Sequence, residues 1–525
     1  MQVEEFLEDS ARVFPSKVAL ICGKSRYTYA EIDAQANRVA VALLEAGVQR
    51  GDRVVVLLPN TAETVIALFG ILKAGAVFVL LNATTKPDKL MYIVNNCQAV
   101  ALVVDGAGWA IAQKASDVMP SIGIVLVARC KSDLPTAAGG GRVINFEAVR
   151  LGAQRVKAPP KTCIDIDLAA LVYTSGTTGH PKGVMLTHLN MVSVATSIAT
   201  YLENTSDDVV MNFLPLAFGY GLYQVLVMFK VGGTVVLHDS FAFPHVVLDL
   251  MERERVTGLP IVPTVAALLL QMDISRYALP QLRYITNAGA ALPVEHLRRL
   301  RTLFPKAKLY SMYGQTECQR VSYLSPDQLD VRPGSVGRGM PNEEVFIVDE
   351  QGHRVGPGVT GELVIRGSHV MRGYWELPEE TERRLRPGPL AGEKVLYSGD
   401  LFRADEEGYL YFVSRKDDII KSRGEKVSPK EVEDAICRLE GIAEAAVIGV
   451  PDAFLGSAIK AIVKLTPGAH LTAQDILRHC AGHLEDFMRP KYVEFVEAVP
   501  KTENGKVSKR LLAERETEMA GASSR

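Results

Sequence analysis

Tyr173–Gly183 reads YTSGTTGHPKG, a string built for holding phosphate. Thr174, Ser175, Thr177 and Thr178 supply hydroxyls. Gly176 and Gly179 let the backbone approach anionic oxygens closely, and Lys182 adds a point charge. The string follows the apolar run Leu168–Val172, expected to be a strand, and precedes a helix expected after Thr187. It lacks the G-K-[ST] of the Walker loop. A flexible Gly/Ser/Thr loop is the plain reading of such a composition. Its place at a strand end favours phosphate.

Four further strings could complete a site. Asn287–Leu292 (NAGAAL) carries small residues, Gly289, Ala290 and Ala291, that leave a flat slot for a base. Tyr313–Glu317 (YGQTE) ends on a carboxylate, the ligand a hard cation prefers. Tyr397–Asp400 (YSGD) offers in Asp400 an acceptor with two oxygens, enough for a pair of sugar hydroxyls. Lys506, in PKTENGKVSKR, is a cation near the chain end. Taken singly, Glu317 would be a solvated loop acid and Lys506 a solvated tail lysine. Their order along the chain gives them weight.

Together these strings resemble the signatures of the adenylate-forming superfamily: acyl-CoA synthetases, luciferases and the adenylation domains of peptide synthetases. The resemblance runs from about Phe6 to Arg510. It implies that Tyr313 stacks on adenine, that Thr316 touches the α-phosphate, and that Glu317 holds Mg²⁺. Gly314 and Gln315 stand between them in the nucleotide site. It implies that Asp400 binds the ribose with help from Arg415, although Ser414 stands where the family usually has Gly. Lys506 becomes the adenylation lysine. Asp417 becomes the hinge about which a C-terminal domain rotates between two half-reactions. Lys421 and Gly424 (KSRG) face the site in the second conformation, where Gly424 leaves room for a phosphopantetheine arm. Lys506, Lys421, Thr178 and Glu317 are the catalytic candidates. ATP, Mg²⁺ and coenzyme A, or the phosphopantetheine of a carrier protein, are the implied cofactors.

The segment Pro215–Leu222 (PLAFGYGL) bears on the acid. Amino-acid-activating relatives carry an Asp that pairs with the substrate ammonium; Gly219 stands here instead. Burying an ammonium without a counter-charge is unfavourable. The expected substrate is therefore a fatty or aryl acid without an α-amine. Phe218 forms an aromatic wall, Gly219 leaves open volume, and Tyr220, Gly221, Gly289 and Met312 complete the pocket. The alternatives are an enzyme loading a separate carrier protein and a luciferase-like oxygenase.

The elements needed to position these residues are also legible. Tyr27–Gly47 has helical apolar spacing and a glycine stop, Asp52–Leu58 reads as a buried strand, Thr61–Ala74 as a helix, and Val77–Leu81 as a strand. Asp208–Leu214, Thr234–Leu237, Gly258–Val262 and Lys308–Ser311 continue the alternation expected of parallel sheets with covering helices. After Gly334 the pattern turns to a β-rich layer. Beyond the charged run Lys416–Lys426, a helix opening at Ser428 and Pro429 begins a small α+β unit. Pro135–Gly141 reads as a loop, and the tail after Arg510 as frayed. The expected fold is α/β: a large N-terminal domain, residues 1–414, of α/β subdomains plus a β-rich layer, and a small mobile α+β C-terminal domain, residues 415–525.

A chain of 525 residues needs more than one core. With 48% hydrophobic and 22% charged residues and a net charge of −2, it is of ordinary globular composition, and nucleic acid is not an expected partner. Seven cysteines occur singly, without a C-x-x-C pair, which argues against a disulfide framework or zinc site. The N-terminus lacks a signal-peptide pattern, and the most apolar stretch, Val65–Leu81, is broken by Lys73 and two glycines. A cytoplasmic enzyme without a transmembrane segment is expected.

Overall fold

Thr28 starts the first long helix, Tyr29–Glu45, through a capping box: its side chain accepts from the Glu31 N–H, and the Glu31 carboxylate accepts from the Thr28 N–H at 2.8 Å. Ile32, Ala36, Val39, Ala40 and Leu43 recur at helical spacing on its buried face. Tyr27 and Thr28, expected inside this helix, instead close an N-terminal hairpin of Val18–Cys22 and Ser25–Thr28. A β-branched residue free to cap is worth more at that point than one more helical turn. The structure, a computed structural model, describes residues 1–114, 119–130, 142–153, 156–174, 181–290, 292–422, 425–452, 456–502, 507–509 and 511–516. The side chains of 112, 114, 417, 421 and 426 also lie outside the described set. So do the expected Pro135–Gly141 loop and residues 517–525 of the tail.

Four sheets organise the described residues. An eight-stranded sheet runs Gly373–Tyr374, Lys182–Thr187, Leu168–Thr174, Val77–Leu81, Arg53–Leu57, Ala101–Val104, Ile124–Val127, Arg142–Asn145. Its strands are parallel except at the first edge, where Lys182–Thr187 turns back beside Leu168–Thr174. A nine-stranded sheet is parallel through its middle, where Tyr284–Asn287 lies between Gly258–Ile261 and Lys308–Tyr313. The Ala62–Lys73 helix is buried at every residue. Phe69 on it stacks on Phe229 of the Gly219–Val231 helix with centroids 5.2 Å apart, joining the layers of both sheets into one core. Lys73 is accommodated there because Glu8 and Asp33 each approach its Nζ to 2.8 Å.

Two smaller sheets follow. Glu343–Val348, Gly361–Gly367, Leu385–Pro387, Lys394–Ala404 and Leu410–Arg415 form an antiparallel layer. Ile420–Ser422, Glu425–Val427, Ile442–Asp452, Gly456–Leu465 and Tyr492–Phe495 form the last sheet, packed with the Pro429–Ile436 and Ala473–His483 helices. The charged run 416–426 is therefore partly β: a short 3₁₀ turn, Lys416–Asp418, leads into a hairpin. Ser428 caps the following helix by accepting from the Glu431 N–H, with Pro429 in its first turn. Among the described residues no helix is long and apolar enough to cross a membrane.

One buried pair near the N-terminus carries a pH dependence. His188 opens the helix after the phosphate loop and is 1% exposed; its Nδ1 accepts from the Val3 N–H at 3.1 Å and lies 3.5 Å from the Glu4 carboxylate. Burial lowers the His188 pKa to about 4 and raises that of Glu4 to about 7. For Glu4 the folded value lies above the unfolded one. The associated stability is complete below the unfolded pKa, about 4.5, and is lost as pH rises through about 7. Glu4→Gln, neutral at every pH, should therefore melt higher than the wild type at pH 8, by an amount equivalent to roughly 2–3 kcal/mol. Near pH 5 the two melting temperatures should converge. A difference independent of pH would show that Glu4 stays ionised.

Candidate active site

The phosphate string begins on the buried strand Leu168–Thr174 and resumes on Lys182–Thr187, with Thr174 directly opposite Lys182 in register. Ser175, Gly176, Thr177, Thr178 and Gly179 lie outside the described residues. Lys182 Nζ binds Glu380 at 2.6 Å and sits 5.6 Å from the Tyr374 ring centroid. That pairing holds the Glu380 carboxyl below its ordinary range. The Tyr374 hydroxyl in turn donates to Glu317 at 2.7 Å. Tyr374 thus links the lysine after the phosphate loop to the carboxylate of the YGQTE string. Nothing in the sequence around Tyr374 or Glu380 pointed to either.

YGQTE leaves the end of Lys308–Tyr313, a strand parallel to Tyr284–Asn287 on one side and antiparallel to Ser322–Leu324 on the other. Tyr313 donates its hydroxyl to Asp400 at 2.6 Å and meets the Phe402 ring edge-on at 4.8 Å. Asp400 and Arg415 face each other across paired strands, with Arg415 Nε 3.4 Å from the carboxylate. Asp400 is nearly inaccessible whereas the Arg415 side chain is 60% exposed. Burial raises the Asp400 pKa, and the Arg415 charge and the Tyr313 hydroxyl oppose that rise. Burial drives the Tyr313 phenol well up, so it remains a donor. Ser414, the departure from the family string, is buried opposite Leu401. Thr316 accepts at its carbonyl from Gln319 Nε2 at 2.9 Å. Gly314 is needed because the 319–320 backbone crosses over it: an added Cβ would lie 2.9 Å from the Arg320 Cα.

Asn287 ends the neighbouring parallel strand, opposite Ser311 in register. Its amide N–H donates to the Ala290 carbonyl at 3.2 Å, and Gly289 takes φ = 90° in the turn between. Asn287 Oδ1 and Gln315 Nε2 are both buried without a hydrogen-bond partner. An orphaned acceptor and an orphaned donor, at or just beyond the carboxyl ends of two neighbouring parallel strands, suit a heteroaromatic base. Gln315 was in the sequence expectation. Asn287 as an acceptor was not, although a polar residue closing the strand YITN is the signal that could have marked it. Ala291 lies outside the described residues.

The expected acid pocket is more crowded than the sequence suggested. Tyr220 is buried, with its hydroxyl 2.7 Å from Thr286 Oγ1, and Phe218 meets its ring edge-on at 6.5 Å. Met312 is buried and accepts at sulfur from the Tyr201 hydroxyl at 3.1 Å. Gly221 faces the Leu214 and Pro215 carbonyls rather than open space; a Cβ would sit 2.6 Å from Leu214 O. The volume beside Gly219, read from the sequence as open, is taken by the Gln319 side chain, whose amide would collide with any Cβ there. Gly219→Ala should thus force Gln319 aside and lower acid-dependent pyrophosphate release by about tenfold. Gln319→Ala in the same chain should restore most of it. If the double variant is no better than the single one, the two residues are not in contact in solution.

The structure brings Lys182, Glu317, Tyr313, Asp400, Arg415, Asn287 and Gly289 to one edge, where the two parallel sheets meet the antiparallel layer. Lys421 lies on Ile420–Ser422 and Asp417 in the 3₁₀ turn, with side chains outside the described set; Gly424 and Lys506 lie outside it entirely.

A buried carboxylate held by Tyr313 and Arg415, with Glu317 and Lys182 joined through Tyr374 on the same edge, suits a nucleotide-binding enzyme of the adenylate-forming kind. The chain belongs to the AMP-binding enzyme family. That family matches residues 7–375, and the AMP-binding enzyme C-terminal domain matches residues 431–506. The chain is 32% identical to a long-chain-fatty-acid–CoA ligase of Bacillus subtilis, over 98% of this chain and 95% of the relative. It is 33% identical to the 3-[(3aS,4S,7aS)-7a-methyl-1,5-dioxo-octahydro-1H-inden-4-yl]propanoyl:CoA ligase of Rhodococcus jostii, over 97% of each. Among solved structures it is similar to the anthranilate CoA ligase AuaEII in complex with anthranoyl-AMP: TM-score 0.89, 27% identity, 99% of this chain and 98% of that one. The resemblance seen in the sequence, and the α/β fold it implied, are borne out.

Proposed function

We propose that the protein is an AMP-forming carboxylic acid:CoA ligase acting through an acyl-adenylate on an acid without an α-amine. The observation that carries this reading is the Tyr313–Asp400–Arg415 group beside Glu317 and Lys182: one cluster suited to base, ribose and phosphates together. The relatives' names supply CoA as the acceptor thiol and span fatty, alicyclic and aryl acids. Gln319, a neutral amide, occupies the wall where an ammonium would need a carboxylate, which supports the exclusion of amino acids.

In this reading Asp400 accepts from the ribose hydroxyls while Arg415 and the Tyr313 hydroxyl fix its orientation. Asn287 and Gln315 offer their free polar atoms to the base. Thr174, Ser175, Gly176, Thr177, Thr178 and Gly179 surround the phosphates, and Lys182 leaves Glu380 to offset their charge. Glu317 fits an Mg²⁺ ion. Among the described residues no three acidic, His or Cys side chains cluster to hold a metal, so Glu317 would be the chain's own ligand to the ion. Mg²⁺ supplies Lewis-acid polarisation of the phosphates. The substrate carboxylate is itself the nucleophile, so the protein's task is positioning and charge stabilisation. The C-terminal unit, from residue 415, turns about Asp417, presenting Lys506 for adenylation and then Lys421 and Gly424 for thiol entry. The enzyme works in the cytoplasm, where CoA thiol stays reduced.

Acid-dependent exchange of labelled pyrophosphate into ATP in the absence of CoA is the direct test. The expected result is exchange with fatty or aryl acids and none with amino acids. Exchange that is best with an α-amino acid would favour the loading of a carrier protein instead.

A further inference from the structure

Arg320 is the unusual residue of the acid pocket. It is 4% exposed, and among the described residues no carboxylate lies within salt-bridge distance of it. Its guanidinium stands 5.2 Å from the Tyr220 ring centroid and near the Tyr201 hydroxyl, which itself donates to Met312 sulfur. Its Nε is buried with no hydrogen-bond partner. The Tyr223 hydroxyl, one turn beyond Gly219 on the same helix, is equally buried and equally unpartnered. The surrounding phenols cannot neutralise the cation: burial raises Tyr201 to about 12, and drives Tyr220 and Tyr223 higher still.

Arg320 and Gln319 are consecutive, and so are Tyr220 and Gly219. The Gln319–Gly219 and Arg320–Tyr220 contacts are therefore neighbours on the wall expected to receive the acid. A purely hydrocarbon acyl chain against this wall would leave the Arg320 Nε–H and the Tyr223 hydroxyl desolvated and without partners, the arrangement proteins avoid. Guanidinium N–H groups and a phenol O–H are all donors, so what they lack is an acceptor. A negatively charged acceptor matches the charge as well.

Resting on the ligase reading, we infer that the acid substrate carries a second oxygen acceptor, a carboxylate or a ketone, at the end away from the reacting carboxyl, received by Arg320 and Tyr223. Arg320 is then a specificity residue. It touches the far end of the substrate and takes no part in the chemistry.

The test is a panel of acids matched in length from four to ten carbons: unsubstituted monoacids, their dicarboxylic counterparts and their oxo counterparts with the ketone next to the terminal carbon. kcat/KM is measured by pyrophosphate release on the full chain. At the best length the dicarboxylic or oxo acid should exceed the monoacid by tenfold or more. Arg320→Leu should erase that preference, bringing the ratio of dicarboxylic or oxo acid to monoacid down to about one, and Arg320→Lys should keep part of it. Should Arg320→Leu fail to fold, Tyr223→Phe must still narrow the ratio. Monoacids preferred at every length by the wild type, or an unchanged ratio in the variants, would overturn the inference and leave the ligase reading intact. Release of pyrophosphate with no acid at all would instead remove the ligase reading.

Discussion

Lys506→Ala is expected to lose adenylation by about 10²–10³-fold while keeping thioester formation from supplied acyl-adenylate within a few-fold of wild type. The argument is electrostatic and positional. Attack of the carboxylate on the α-phosphorus brings two negative groups together, and a lysine between them both orients the nucleophile and offsets the charge. In thiol attack on the finished anhydride no such approach occurs, so the same cation is dispensable. Gly424→Leu should show the mirror image, because a branched side chain in a channel for a phosphopantetheine arm obstructs only the second step. Both residues lie beyond the described structure, so the prediction stands on their motifs. Separate single-turnover assays of the half-reactions decide it. Equal loss in both steps for both variants would rule out a site that works in two arrangements.

Asp400→Ala should carry the next largest effect. Its carboxylate holds the Tyr313 hydroxyl at 2.6 Å and faces Arg415 at 3.4 Å. Removal leaves a buried phenol without its acceptor and takes away the charge-assisted acceptor for two sugar hydroxyls. Each lost hydrogen bond of this kind is worth about 1.5–3 kcal/mol, so the KM for ATP should rise by roughly 10²-fold or more. Asp400→Asn keeps the shape and one acceptor oxygen and should fall between. The control is the acid: its KM at saturating ATP should barely move. A large change for the acid with an unchanged KM for ATP would mean that Asp400 serves the acyl side.

The positions of Lys182, Glu317, Asp400 and Arg415 were legible because each sits in a short string whose residue types state a chemistry. The elements beneath them were legible for the same local reason, as with the apolar Ala62–Lys73 helix or the Ser428–Pro429 start. What the sequence could not convey is which strings touch. Tyr374 meets Glu317 across 57 residues of chain, and Tyr313 meets Asp400 across 87. The first contact depends on the edge strand Gly373–Tyr374 of the eight-stranded sheet, the second on the antiparallel layer meeting the nine-stranded sheet, and no local pattern records either. Gly219 shows the converse error. A glycine announces that it has no side chain of its own, not that no neighbour fills the space, and here Gln319 does. Arg320 was passed over because a single arginine reads as surface until its burial is known.

The central claim is that the substrate's own carboxylate attacks the α-phosphorus of ATP. An acid labelled with ¹⁸O in both carboxyl oxygens tests it most directly, with the AMP analysed by mass spectrometry after turnover with CoA. The bridging oxygen of the adenylate comes from the acid and departs with AMP when the thiol attacks. The expected result is one ¹⁸O per AMP, with the other retained in the thioester. Unlabelled AMP, or ADP and inorganic phosphate as the products, would contradict it.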